Sequence, residues 1–498
     1  MRRVHENSLL THFYFMLSFQ DFYLLAPEII LTLLGFGILT LGLIFPRMYR
    51  ETLIAIVLIG LAVSLLVATH HWNNTAATAF YGMISVDKFT VGFQCLFIIA
   101  AALTLMLSLN TLEGNYLQYS EYFALVIFAT VGMMLMASSA HLLTLFLGLE
   151  TLSVSLYILA GFRRDEAKAL ESSFKYFLLG AFASGFLLYG IALIYGSVGS
   201  ASLTALAAHL KQNLNANLQP LFLTGLVLMI VGFGFKIALA PFHSWAPDVY
   251  QGAPTPVAAF MATGSKAAGF AALLRLLLAA DVMAQTFWQQ IFWVIAIATM
   301  TIGNIIALRQ DNIKRLLAYS SIAHAGYILV GAIANNETGY AGILFYLLSY
   351  TFMNVGAFGV VSYLAKADQE YVTISEYRGL AYRRPFAAVA LAIFMFSLAG
   401  VPPTAGFLSK FYVFNGAIQA GYVWLVILGV INSMISLYYY LSVVVVMFMQ
   451  EPAGEKTPIT PLPAVGVALI IAIFGTLNLG LFPGQWMDKF QALARSIM

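Results

Sequence analysis

The chain has 498 residues, of which 61% are hydrophobic and only 9% charged, with a net charge of +3 and a mean hydropathy of +0.87. Soluble domains carry about 25% charged residues, so lipid must be the solvent for most of this surface. A net charge so small and so dispersed over loops does not fit a nucleic-acid partner.

In chain order, residues 1–20 with Arg2 and Arg3 read as a retained leader. No small-residue cleavage site follows, and residues 21–27 run straight into the first apolar segment. A membrane-spanning helix needs about 20 mostly apolar residues. Fourteen segments qualify: 23–46, 52–70, 87–110, 121–138, 140–161, 173–197, 221–242, 254–280, 286–308, 313–335, 339–365, 386–418, 422–449 and 462–483. The break at Ser138, Ser139 and Ala140 is short, and merging the spans on either side gives a competing count of thirteen. The expectation is an all-α polytopic protein with loops too short for a water-soluble domain. Its longest loops, 198–220 and 366–385, have room for short surface helices.

Lysine and arginine concentrate in the loops after odd-numbered spans. These hold Arg47, Arg50, Arg163, Arg164, Lys168, Arg309, Lys314, Arg315, Lys366, Arg378, Arg383, Arg384 and Lys456. The positive-inside rule therefore predicts that these loops face the cytoplasm and that both termini lie outside.

The seventh span contains Lys236, Pro241 and His243. The twelfth contains Gly400, Pro402, Pro403, Gly406 and Lys410. Proline within a helix removes a backbone donor and clashes with the preceding turn. In lipid, such a break survives only where protein or a water-filled cavity satisfies the freed groups. Either break alone is compatible with a simple kink. The two are five spans apart, an odd offset, which fits two repeats of opposite topology with their breaks at matching positions. The expected layout is 1–120 for the leader and spans 1–3, 121–285 for the first repeat (spans 4–8), 286–450 for the second (spans 9–13), and 451–498 for the last span and tail. Residue-level identity between the halves is not evident, so the repeat rests on hydropathy and prolines.

Four charges lie deep inside spans: Glu150 in the fifth, Lys236 in the seventh, Lys266 in the eighth and Lys410 in the twelfth. Each costs roughly 2.5–3.5 kcal/mol at a helix centre on insertion scales. A lysine near a span end snorkels to the interface, which is the expectation for Lys175 and Arg275. For Glu150 the competing reading is a static ion pair between helices. The chemistry suits protons, because desolvation and a neighbouring carboxylate push a buried lysine's proton affinity in opposite directions. In this reading Glu150 modulates Lys236, Lys266 relays, and Lys410 holds the proton at the far end. His243 and His324 are secondary candidates, since histidine titrates near neutrality, although a lone intramembrane histidine is often only a packing residue. One cysteine, Cys95, excludes a disulfide framework or a thiolate-ligated cluster in this chain. The eight histidines show no metal-ligand spacing, and adjacent His70 and His71 read as loop residues, so no redox centre or metal is expected.

The stretch Gly232-Phe-Gly-Phe-Lys236-Ile-Ala-Leu-Ala-Pro241-Phe-His243-Ser-Trp245-Ala-Pro247-Asp248-Val-Tyr250-Gln-Gly252-Ala-Pro254 resembles the signature of the antiporter-like subunits of respiratory complex I, the proton-pumping NADH:quinone oxidoreductase. Glu171-Ser-Ser-Phe-Lys175-Tyr-Phe-Leu-Leu-Gly180, Arg315 to Tyr327, and Gly400 to Phe411 agree. The Asp-Val-Tyr-Gln-Gly-Ala-Pro form is most similar to the N-type branch. The L-type carries extra C-terminal helices absent here, and the M-type has glutamate where this chain has Lys410.

The resemblance implies fourteen helices in two inverted five-helix repeats, an essential pair at Glu150 and Lys236, and lysines at Lys266 and Lys410. Glu171 joins His243 and His324 as a secondary proton-path candidate. It also implies a multi-pass subunit of the bacterial inner membrane. Such a subunit works beside other antiporter-like and small helical membrane subunits, with NADH, FMN, Fe–S clusters and quinone bound by partners. The competing functions are a stand-alone cation/proton antiporter and a structural membrane subunit. The N-type motifs argue against the first, and the retained Glu150, Lys236 and Lys410 against the second.

Overall fold

The computed structural model describes residues 18–45, 50–74, 76–111, 120–212, 220–279, 286–365, 370–452, 463–496 and 498. Most of the predicted leader therefore lies outside the described residues. The helices, in order, are α1 (Phe19–Leu24), α2 (Ala26–Ile44), α3 (Arg50–His70), α4 (Lys88–Thr111), α5 (Ser120–Ser138), α6 (Leu142–Ala160), α7 (Ala167–Val198), α8 (Leu203–Gln212), α9 (Pro220–Lys236) and α10 (Trp245–Gly252). Then come α11 (Thr255–Ala279), α12 (Thr286–Ala307), α13 (Ile313–Ala334), α14 (Glu337–Leu364), α15 (Leu380–Arg383), α16 (Pro385–Ala399), α17 (Ala405–Gln419), α18 (Val423–Met449), α19 (Pro463–Leu481) and α20 (Pro483–Arg495). Among the described residues twelve helices are long and apolar enough to cross a membrane, and α9 and α16 are shorter apolar helices.

Burial separates the centre from the periphery. The apolar windows of α11, α13 and α14 are 100%, 94% and 94% buried, against 28% for α2 and 33% for α3, α7 and α18. A helix that is apolar all round and buried all round is a core element. The outer helices instead expose large apolar side chains such as Leu33, Phe36, Phe182 and Met434, as a lipid-facing surface requires. Helix starts are fixed by side-chain caps: Asn312 accepts from the amides of Lys314 and Arg315 at 2.9 and 3.2 Å, and Asn336 from Gly339 at 2.8 Å.

The break at Ser138–Ala140 is real and is held from outside. A two-stranded antiparallel hairpin, β1 (Ala77–Ala79) with β2 (Ile84–Val86), lies against it. The Ala140 amide donates to Met83 O at 2.9 Å, and Ala140 O accepts from Leu203 N, the first residue of α8, at 3.0 Å. Beyond the break α5 and α6 pack at Gly132 and Gly148, where an added Cβ on Gly132 would meet Leu152 N at 2.5 Å. Only glycines permit that approach of two membrane helices. The long loops do hold short helices, α8 and α15. Sequence reading missed the hairpin and the C-terminal helix α20.

The two predicted five-span sets show corresponding pairings. α5 packs on α6 and on α11, as α12 packs on α13 and on α18. α7 packs on α9 and α10, as α14 packs on α16 and α17.

Candidate functional site

Both predicted breaks separate pairs of helices, and each leaves a lysine beside the interruption. At the second, α16 stops at Ala399 and α17 starts at Ala405. In a continuous helix the amides of residues 402 and 403 would bond to the carbonyls of Leu398 and Ala399. Both residues are proline and have no N–H. Lys410 takes their place. Its Nζ donates to Ala399 O at 2.9 Å and Leu398 O at 3.3 Å, and to Ser433 Oγ of α18 at 2.8 Å. Gly400 makes room with φ +88°, and a Cβ there would lie 3.2 Å from Nζ. Lys410 is 4% exposed, and its Nζ is 5.0 Å from the Tyr327 ring centre. A cavity of about 510 Å³ reaches it between α16, α17 and α18.

At the first break, α9 ends on Lys236 itself. Ala238 takes φ +58°, the Ala240 amide donates to Thr299 Oγ1 of α12 at 3.0 Å, and Phe235 O accepts from the Trp245 indole at 3.0 Å. Lys236 is 5% exposed and donates to Ser153 Oγ at 3.0 Å. Ser153 stands three residues after Glu150 on α6. Glu150 and Lys236 make no direct ion pair within 4.0 Å, yet Glu150 is the carboxylate within Coulombic reach of that ammonium. Glu150 Oε1 is buried without a hydrogen-bond partner. The Lys236 Nζ lies 6.0 Å from the Tyr176 ring centre, and that ring stacks on Trp245 at 4.6 Å.

Lys266 follows a π-helical turn, Met261–Ser265, a feature frequent at functional sites. It is 2% exposed and donates to the main-chain carbonyl of Ser321 on α13. One turn further along α13, His324 has both ring nitrogens engaged, Nδ1 with Tyr346 Oη at 2.7 Å and Nε2 with Tyr440 Oη at 3.1 Å. Tyr440 also bonds Ser320. His324 lies within Coulombic reach of both Lys266 and Lys410. Asn304 extends the polar line, donating to Tyr327 Oη at 3.0 Å and accepting from Tyr439 Oη at 3.0 Å.

The other candidates stand apart. His243 is half-buried, with Nδ1 unpartnered. Glu171 is 61% exposed and pairs with Lys175 at 2.7 Å, which also reaches Asp248 at 3.0 Å. Lys175 is thus tied down by two carboxylates rather than simply snorkelling. Arg275 departs further from snorkelling: it pairs with Asp87 at 3.0 Å in a nearly buried bridge between α11 and the start of α4. His71, expected in a loop, is 3% exposed.

Sequence reading counted Lys314 among loop cations. It is buried, donating to Ala253 O at 2.7 Å and to Glu370 at 3.0 Å, and Arg163 binds the other Glu370 oxygen at 3.0 Å. Burial pushes the Glu370 carboxyl up, but Lys314 and Arg163 outweigh it and hold it at about 2. Ser153 is the partner the sequence could have offered, one helical turn from Glu150. Tyr440 and Ser433 come from distant segments and carry no local signal.

The family described as NADH:quinone oxidoreductase/Mrp antiporter, transmembrane, matches residues 138–436. NADH-quinone oxidoreductase subunit N of Trichlorobacter lovleyi is 47% identical over 95% of this chain and 97% of its own length. Subunit N 2 of Roseiflexus castenholzii is 46% identical over 91% and 92%. A chain of respiratory complex I from Thermus thermophilus superposes with a TM-score of 0.79 at 38% identity, covering 93% of this chain and 98% of that one. A chain of a Dietzia Mrp complex shares the fold, with a TM-score of 0.81 at 21% identity over 94% and 97%. The chain is a multi-pass membrane protein that belongs to the NADH:quinone oxidoreductase/Mrp antiporter transmembrane family, within the subunit N branch of NADH-quinone oxidoreductases.

Proposed function

We propose that this chain is the proton-translocating N-type membrane subunit of an NADH:quinone oxidoreductase, driven by electron transfer in partner subunits. NADH, FMN, Fe–S clusters and quinone are held by those partners, and other antiporter-like and small helical subunits flank this one in a bacterial inner membrane. The termini lie on the periplasmic side, as the lysine and arginine bias requires. Spans 4–8 (121–285) and 9–13 (286–450) act as two inverted repeats, preceded by 1–120 and followed by 451–498. The shared neighbour pattern and the paired breaks support that division.

One observation carries the mechanism: Lys236 is held on Ser153, a turn from Glu150, without a closed ion pair. A fixed salt bridge would lock the lysine charged. A carboxylate that acts at a distance can approach or withdraw, and at an effective dielectric of about 20 a unit pair at 4 Å is worth about 4 kcal/mol. That swing is enough to load or release one proton. The proton then passes to Lys266, through His324 and its tyrosines, to Lys410, where the cavity beside Ser433 offers an exit. His324 bonded on both nitrogens suits a relay, since a tautomer shift moves a proton across the ring without moving the ring. His243 and Glu171 sit at the approaches rather than on this line.

The test is Lys236→Ala in the native complex, reconstituted into vesicles. Proton pumping should be lost and NADH-dependent quinone reduction depressed. Full pumping by the variant refutes the assignment, and sodium-for-proton exchange by the isolated chain would favour the antiporter reading.

A further inference from the structure

The proton line leaves one buried carboxylate unused. Glu28 is the third residue of α2 and 3% exposed. Among the described residues no cation lies within 4.0 Å of it. Among the described residues its one side-chain partner is Gln94 of α4, itself fully buried, whose Nε2 donates to Glu28 Oε1 at 2.8 Å. Two atoms of this pair are left without partners: Glu28 Oε2 and Gln94 Oε1.

A carboxylic acid and a carboxamide pair edge to edge through two bonds, amide N–H to carboxyl oxygen and acid O–H to amide oxygen. The first bond is present. The second needs one proton between the two orphaned oxygens, and that proton satisfies both. A carboxylate anion instead leaves two buried oxygens with no donor for either. Helix position gives the anion some support, because Glu28 lies in the first turn of α2. That attraction is smaller than the penalty for an unpaired buried charge.

The neighbours supply no countercharge. On α1, Asp21 is turned to the Ser18 and Phe80 amides. On α4, Asp87 is held by Arg275, and Lys88 lies at the helix start. On α3, Ser64 donates to Pro27 O at 3.1 Å. Just beyond α3, buried His71 has both ring nitrogens unpartnered and its ring 4.8 Å from that of Tyr23. α5 carries its one charge, Glu121, at its first turn.

We propose that Glu28 is a second proton-binding site of the chain, a neutral carboxylic acid whose proton is shared with the Gln94 amide. It stands in the first three spans, outside the line from Glu150 to Lys410.

Infrared difference spectroscopy on the purified complex at neutral pH tests it. Wild type minus Glu28→Gln should show the carbonyl stretch of a protonated carboxylic acid, shifted downward in heavy water. Glutamine replaces the acid O–H with an N–H and keeps the ring, so the variant should assemble normally. A difference spectrum with only carboxylate bands overturns the proposal. So does a Glu28→Gln variant that fails to assemble while Glu28→Asp succeeds, because the site would then need a charge. In Gln94→Leu the acid loses its partner and its carbonyl stretch should rise; an unshifted band refutes the pairing. None of these readouts depends on pumping, so the result of Lys236→Ala leaves them unaffected.

Discussion

Ser153→Ala is the smallest change that reaches the proposed pump. Ser153 Oγ is the one hydrogen-bond acceptor of Lys236 among the described residues, at 3.0 Å, and Lys236 is 5% exposed. The deletion removes one hydroxyl, leaves the α6 backbone intact and spares Glu150. A hydrogen bond to a charged group contributes about 1.5–3 kcal/mol. At 1.36 kcal/mol per tenfold change, the equilibrium constant for placing a proton on Lys236 should fall by about 10- to 150-fold. Proton pumping per NADH oxidised, followed by a dye in reconstituted vesicles, should drop well below wild type while assembly stays complete. Ser153→Thr keeps the hydroxyl and should recover most of the loss. Wild-type pumping by Ser153→Ala, or no recovery with threonine, would refute the idea that this hydroxyl holds the loaded lysine.

Gly400→Ala puts a methyl group 3.2 Å from Lys410 Nζ at a residue with φ +88°. The left-handed conformation alone costs roughly 1–2 kcal/mol for a residue with a Cβ. Pumping should fall more than assembly, measured side by side on the same membranes. Glu370→Gln leaves Arg163 and Lys314 without their shared anion, and breaking a buried pair costs about 3–5 kcal/mol. The sign with pH follows from a folded-state carboxyl held at about 2 against an ordinary 4.5. The stabilisation is fully present above the ordinary value and is lost as pH falls toward 2. Thermal unfolding of the detergent-purified complex should therefore show a gap between wild type and variant that is constant above about pH 4.5 and narrows below it. A gap unchanged down to pH 3 would contradict the pairing.

Much of this architecture is legible in the sequence because lipid enforces simple rules. Spans of about 20 apolar residues and prolines within them can be read directly, and both breaks fall where Pro241, Pro402 and Pro403 place them. The charges were legible for the same reason, since Lys236, Lys266 and Lys410 stand out against apolar neighbours. Partners were not. Ser321, Tyr440 and Ser433 are ordinary residues made special by packing from distant segments. Lys314 sits at the mouth of a helix and looks like a surface cation until Glu370 folds over it. Glu28 follows a proline at the edge of the first span, where a carboxylate attracts no notice. The hairpin escaped because strands of three residues, Ala77–Ala79 and Ile84–Val86, are too short to show alternation.

The two ends of the lysine line are held by different kinds of counterpole. Lys236 answers to a carboxylate on a neighbouring helix, which a rotamer change can bring near or take away. Lys410 answers to the Leu398 and Ala399 carbonyls, fixed dipoles that two prolines have stripped of their usual partners. Those dipoles leave only if the chain between α16 and α17 itself shifts. The carboxylate facing Lys236 can therefore move with a side-chain swing, whereas the carbonyls facing Lys410 move only with the backbone. Side-chain swings and backbone rearrangements run on separate clocks, fast and slow. In the proton path proposed above, a quick latch at one end and a slow one at the other would make the conduit a ratchet, with the double proline as its slow pawl.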